Sequence, residues 1–182
     1  LSLVEGEWDS AQGEIVYSPM LAENWKWNRD DNSLLITIKD NVYWRDSVKC
    51  SIQDVIYTFD LYSDPLVMSR AYGYFENFFT LENGLIDSAK TFEILSDVSI
   101  KIKFKKGSLP KLIDVDHPIL PKHFWSKFNR EDLPTLTITD YVTNGAYKVS
   151  AWEKEASIIL EKNINSFLIQ NSSVNRLVFK VI

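Results

Sequence analysis

Histidine and cysteine are nearly absent from this chain: 182 residues hold two histidines and one cysteine. With Cys50 alone, no internal disulfide can form. No base stands beside it in sequence to support a catalytic or redox thiol, so it reads as a small, partly buried side chain. The six glycines are scattered, so no glycine-rich loop is available to cradle a phosphate. No run approaches the roughly 18 apolar residues of a membrane span. The net charge is −5 and basic residues form no dense cluster, which argues against a nucleic-acid partner. The densest basic run, Lys101 to Lys106, alternates with Ile102 and Phe104 and reads as the solvated face of a strand. The first residues, Leu1-Ser2-Leu3-Val4-Glu5, carry no basic region or small-residue cleavage site of a signal peptide. The start without Met and the close within an apolar strand read as an excised fragment.

The same scarcity limits chemistry. Hydrolytic or transfer catalysis needs a nucleophile, a base and an orienting group in one place, and the acidic residues, though many, are not paired distinctively. His117 sits in Asp114-Val115-Asp116-His117-Pro118, which superficially resembles a metal-binding cluster. Nothing supplies a complementary Cys/His/Glu set at metal-site spacing, so a solvated loop is expected. His123 reads as a structural histidine on or near a helix surface. An enzyme is unsupported, and no cofactor or metal is expected.

What the chain has is aromatic side chains, with 6 Trp, 8 Tyr and 10 Phe, enough for a core with rings left over for a binding surface. Residues 1–27 read as extended, with a turn at Asp9 to Gly13. Leu34 to Lys39 alternates like a half-buried strand, and Asn41 to Lys49 reads as a polar loop. Ser51 to Tyr62 carries Ile52, Val55, Ile56 and Phe59 at i, i+3, i+4 and i+7, one helical stripe. Ser51 and Asp54 stand at capping-box positions, and Asp64-Pro65 ends the helix. Phe92 to Leu95 and Val98 to Phe104 predict a hairpin. Short helices are expected over Ser108 to Val115 and from Pro121, the second carrying Phe124, Trp125 and Phe128 and stopping before Pro134. Three strands close the chain: Ala146 to Trp152, Ser157 to Glu161 and Arg176 to Ile182. Asn144-Gly145 is a turn dipeptide, since both residues tolerate positive φ. The fold class is α+β, a mixed β-sheet with a few short helices.

Within Tyr72 to Phe79, Phe75, Phe78 and Phe79 read as core. Tyr72 and Tyr74 flank Gly73, and each hydroxyl needs a partner or water. They are the candidate ligand-facing residues of a cleft wall. Asn144 and Gly145 are candidates too, though shaping a turn is their first role.

Several blocks resemble, in order, a family of extracellular solute-binding proteins: family 5, the peptide/nickel type that serves ABC importers. Pro19-Met20-Leu21-Ala22-Glu23-Asn24-Trp25 is similar to its "P-x-L-A-E-S-W". Asn41-Val42-Tyr43-Trp44-Arg45-Asp46 is similar to "G-V-K-W-H-D-G", and Ser51 to Val55 with Thr58-Phe59 to "P-x-T-A-E-D-V-V-x-T-F". Ile119 to Trp125 resembles "I-L-P-K-H-x-W". Val142 to Glu153, Ile159 to Asn163 and Leu177 to Ile182 follow. Ser47 departs from the usual glycine, and Glu153-Lys154-Glu155-Ala156 lacks the glycine usual in that hairpin. The resemblance implies a two-lobed fold whose first lobe carries an inserted subdomain, here residues 1–140, with 141–182 beginning the return to the main lobe and the second lobe absent. It implies capture of peptides by hinge closure and delivery to an ABC permease, in the periplasm or outside the cell, with or without a lipid anchor. The same family implies other solutes as alternatives: a nickel complex, haem or an oligosaccharide. A further alternative is the sensing domain of a transcriptional regulator. Exposed sheet edges imply self-association of the fragment.

Overall fold

The protein is described from a computed structural model covering residues 1–136, 141–169 and 173–181. The chain forms two compact units: Leu1–Asp40 with Ser51–Leu136, and Asn41–Cys50 with Thr137–Ile182.

The first unit opens on an antiparallel hairpin, β1 (Val4–Asp9) and β2 (Glu14–Pro19), closed by the polar turn expected there. Gly13 takes φ +70° in that turn, a conformation glycine adopts without strain. Four strands then form one antiparallel sheet in the order β3 (Ala22–Asn28), β4 (Ser33–Ile38), β6 (Ser99–Lys103), β5 (Phe92–Ile94). Alternation decides which face is core. Leu34 pairs with Ile102 and Ile36 with Ile100, and all four side chains are buried. On the other face Lys101 meets Asp31 and Lys103 meets Glu93, the solvated strand face that the alternation predicts.

The expected helix is α1 (Ile52–Ser63). Asp54 Oδ2 accepts the Ser51 N–H at 2.9 Å, the reciprocal half of the capping box. Ile52, Val55 and Phe59 are buried as one stripe. Burial of each such side chain contributes about 1.5–3 kcal/mol. Phe59 is the hub of the aromatic core, with ring centroids 5.9 Å from Phe75, 5.6 Å from Phe78 and 6.1 Å from Phe92. Phe78 continues to Phe104 at 5.0 Å. Phe75 and Phe78 are thus core, as expected.

Two expected helices are shorter than the pattern suggested. Over 108–115 only a 3-10 turn forms, Leu112–Val115. From Pro121, α3 covers just Lys122–Trp125, and a 3-10 turn, Arg130–Thr135, includes Pro134. Between α1 and β5 lie 3-10 turns at Pro65–Val67 and Tyr72–Tyr74 and the short α2 (Ser88–Thr91).

The second unit holds a three-stranded antiparallel sheet, β7 (Tyr147–Glu153), β8 (Ser157–Lys162) and β9 (Arg176–Lys180), in that order. The last strand was expected to reach Ile182, which lies outside the described residues, as do 137–140. Residues 41–50, read as a polar loop, close on themselves: Trp44 N–H donates to Val48 O at 2.8 Å and Cys50 N–H to Val42 O at 3.0 Å. Trp44 and Cys50 are buried there, Cys50 more completely than expected.

Candidate functional site

The tyrosine segment is built by local turns anchored on core rings. Ser69 starts it: its Oγ accepts the Ala71 N–H at 3.1 Å and its carbonyl accepts the Tyr72 N–H at 3.1 Å. Phe75 and Phe78 drive into the core, which leaves Tyr72 and Tyr74 facing outward, 45% and 49% exposed. Two neighbours fix how the rings lie. Gly84, at φ +88°, leaves room for the Tyr72 hydroxyl; a Cβ there would stand 2.7 Å from Tyr72 Oη. The Tyr74 ring lies 5.5 Å from the ring of His117. Two exposed phenols on a rigid aromatic base can stack on apolar groups and exchange hydrogen bonds with amides.

His117 is not in a solvated loop. It is 6% exposed and lies among Phe59, Tyr62, Tyr74 and Phe75. The flanking 3-10 turn and Pro118 fold the loop inward, with Tyr62 Oη donating to Pro118 O at 2.9 Å. Burial lowers the imidazole's pKa from its ordinary 6.5, against the opposing pull of Asp116 and Asp114. Burial also pushes the Tyr62 phenol up to about 12, so it stays a neutral donor. Gly84 and His117 are thus neighbours that sequence reasoning missed. No local pattern marks either one, because both matter through contacts distant in the chain.

Asn144 and Gly145 belong to the second unit. Asn144 is 2% exposed, with its carbonyl accepting from Ser166 Oγ at 3.2 Å. Asn163 Nδ2 donates to Gly145 O at 2.9 Å. The positive φ expected for this dipeptide is not used: neither residue is among those at positive φ. The bend is made instead by backbone groups tied to residues 163–166. A small cavity of about 80 Å³ nearby is lined by Arg45, Tyr141, Thr143, Tyr147, Lys148 and Val149, without Asn144 or Gly145. The structure thus brings Tyr72 and Tyr74 together in one turn, and Asn144 and Gly145 in another region. Among the described residues, no group of three or more His, Cys, Asp or Glu side chains is placed to hold a metal ion. None of the described helices is long and apolar enough to cross a membrane.

A wider groove of about 580 Å³ crosses the outer face of the four-stranded sheet, lined in part by Lys26, Trp27, Arg29, Leu35, Leu95 and Lys101. Neither tyrosine lines it. Arg29 lies 4.4 Å from the Trp27 ring centre in a cation–π contact.

Residues 16–182 match the family model described as bacterial extracellular solute-binding proteins, family 5 Middle. The periplasmic oligopeptide-binding protein OppA of Salmonella typhimurium is 26% identical over 160 residues, covering 80% of this chain and 28% of that protein. The crystal structure of NikZ from Campylobacter jejuni, in complex with Ni(L-His), superposes with a TM-score of 0.77 at 25% identity, covering all of this chain and 33% of that one. Haemophilus influenzae OppA, in complex with the peptide RPPGFSPFR, gives 0.74 at 19% identity, with 100% and 36% covered, a likeness of fold. The chain spans about a third of the length of these relatives.

Proposed function

Because the chain belongs to the bacterial extracellular solute-binding proteins, family 5, we propose that it is part of the ligand-capturing lobe of a peptide-binding protein that serves an ABC importer. The observation that carries this reading is the family match over residues 16–182 together with an oligopeptide-binding relative aligned over 80% of the chain. Residues 1–140 are read as the inserted subdomain and 141–182 as the return to the main lobe, with 41–50 packed into that second unit. The ligand is enclosed by hinge closure against a second lobe and passed to the permease. An extended peptide is held by main-chain hydrogen bonds and side-chain pockets. Tyr72 and Tyr74 supply part of one wall, where their exposed rings support a stacking role. Asn144 and Gly145 hold the return segment, and any contact of theirs with ligand is through backbone. In this reading the protein does no chemistry on its ligand. It works outside the cytoplasm, in the periplasm or tethered to the membrane by lipid.

A second reading has one specific support: NikZ is in complex with Ni(L-His), so a small chelated metal is the alternative cargo. Calorimetric titration of a short-peptide pool, and separately of Ni(L-His), into this chain and into its intact parent distinguishes the two. Saturable peptide binding by the parent supports the peptide reading. Binding of Ni(L-His) alone replaces it. A cleft that buries roughly 70–90% of its ligand needs both walls. The isolated chain should therefore bind peptide more weakly than mid-micromolar, and tighter binding would contradict the two-wall reading.

A further inference from the structure

We propose that His117 is an acid-sensitive positioning residue for the aromatic turn that presents Tyr74. Four rings surround the imidazole: Phe59 at 6.0 Å, Tyr62 at 6.4 Å, and Tyr74 and Phe75 at 5.5 Å each. Phe59 and Tyr62 come from α1, and Tyr74 and Phe75 from the turn after it. His117 Nε2 is buried and has no hydrogen-bond partner. A neutral imidazole is an acceptable wedge in such a box, at the cost of one unmet polar atom. An imidazolium is not, because the added proton has no acceptor and the charge loses its water.

The charged and titratable groups around the ring leave that balance in place. From α1, Tyr62 is neutral well past physiological pH. From the aromatic turn, Tyr74 is the only titratable ring in contact. From its own loop come Asp114 and Asp116, which favour the cation but do not outweigh burial. The Asp114 Oδ2 already accepts from Asn77 Nδ2 at 2.9 Å and from the Lys111 N–H at 2.7 Å. From β2, Tyr17 has its phenol raised by burial and then by the same two aspartates.

The sign follows from linkage. A folded-state pKa below 6.5 means that the packed form binds fewer protons than the opened one. The packing is at full strength above pH 6.5 and weakens as pH falls below it. One proton sets the limit at about tenfold in the opening equilibrium per pH unit. Acid expels His117 from the box and removes the surface that Tyr74 rests on. If Tyr74 faces ligand, as proposed above, ligand is released at the same pH; that consequence alone rests on the peptide reading.

Hydrogen exchange of the whole 182-residue chain between pH 7.5 and 5, corrected for intrinsic amide chemistry, tests the device without any ligand. Protection over residues 72–78 should fall several-fold in the wild type and stay flat in His117→Phe, which keeps a ring in the box. His123→Gln should leave the fall unchanged. A flat wild-type profile, or an equal fall in His117→Phe, overturns the proposal. An imidazole titration by NMR on the wild type decides independently if His117→Phe fails to fold: a midpoint for His117 below 6.5 supports it, and one at or above 6.5 overturns it. A failure of peptide binding by the parent would leave these readouts untouched, and their failure would leave the peptide reading standing.

Discussion

Single residues in this chain do work that their neighbours in sequence do not announce. Ser47 and Glu155 sit at φ +69° and +64°, in the left-handed region that favours glycine. Ser47 departs from the glycine expected there and Glu155 lies in a hairpin expected to hold one, so each costs backbone strain of about 1 kcal/mol. Ser47→Gly and Glu155→Gly should each stabilise the second unit by roughly 0.5 kcal/mol, the relief being partly offset by a more flexible unfolded chain. A higher urea midpoint with an unchanged m-value would show it, and a lower midpoint would refute it. Gly84 is the reverse case. Gly84→Ala adds left-handed strain and puts a methyl against Tyr72 Oη. We expect a loss of about 1–2 kcal/mol, with a change in the near-ultraviolet signal of Tyr72. No change in either would mean that Tyr72 is not held by this contact.

At the scale of elements, the sequence was most legible where periodicity and capping agree. The helix from Ile52 has its stripe, its cap and its stop within one segment, and the pattern placed it within a residue. The Phe92 to Phe104 hairpin and the three last strands were equally legible, because strict alternation separates Ile100 and Ile102 from Lys101 and Lys103. The segment from Leu66 to Lys90 was not legible. Its turns are short, their rings serve a core assembled from distant residues, and no period marks them. The same reason hid His117, whose burial depends on α1 and on the Tyr74 turn. Pro121 to Thr135 failed differently: Phe124, Trp125 and Phe128 cluster on each other, and a four-residue helix suffices to place them. One clip between elements carries a prediction. Buried Asp54 accepts from Ser51 N–H and, through Oδ1, from Lys122 N–H at 2.8 Å, joining the starts of α1 and α3. Thr58 Oγ reinforces it by accepting the Leu120 N–H at 2.8 Å. Asp54→Ala leaves two amides without these partners and should cost about 2–4 kcal/mol by chemical denaturation. A loss under about 0.5 kcal/mol would show that water replaces the carboxylate freely.

At the scale of the molecule, the question is which surfaces the chain leaves without a cover. In the second unit, β7 and β9 are the two edges of the three-stranded sheet. Across it Trp152 pairs with Ile158 and Ile158 with Phe179, so the three side chains form one row on the same face. Trp152 and Phe179 are more than half exposed. Val149, Leu160 and Leu177 form the parallel row beside it. An exposed apolar face at the edges of a short sheet favours pairing with another chain. In a full-length relative of this family, further chain is available to cover such a face; the isolated 182 residues have only each other. The isolated chain should therefore self-associate, with a weight-average mass in sedimentation equilibrium that rises with concentration. Trp152→Lys with Phe179→Lys should return it toward the monomer while leaving the circular dichroism of the first unit unchanged, since both residues lie in the second. A monomer at every concentration would show that exposed edges of this length are too short to pair. Association that survives the double substitution would place the contact elsewhere, with the exposed Trp8 and Ile15 of the first hairpin as the next face to test.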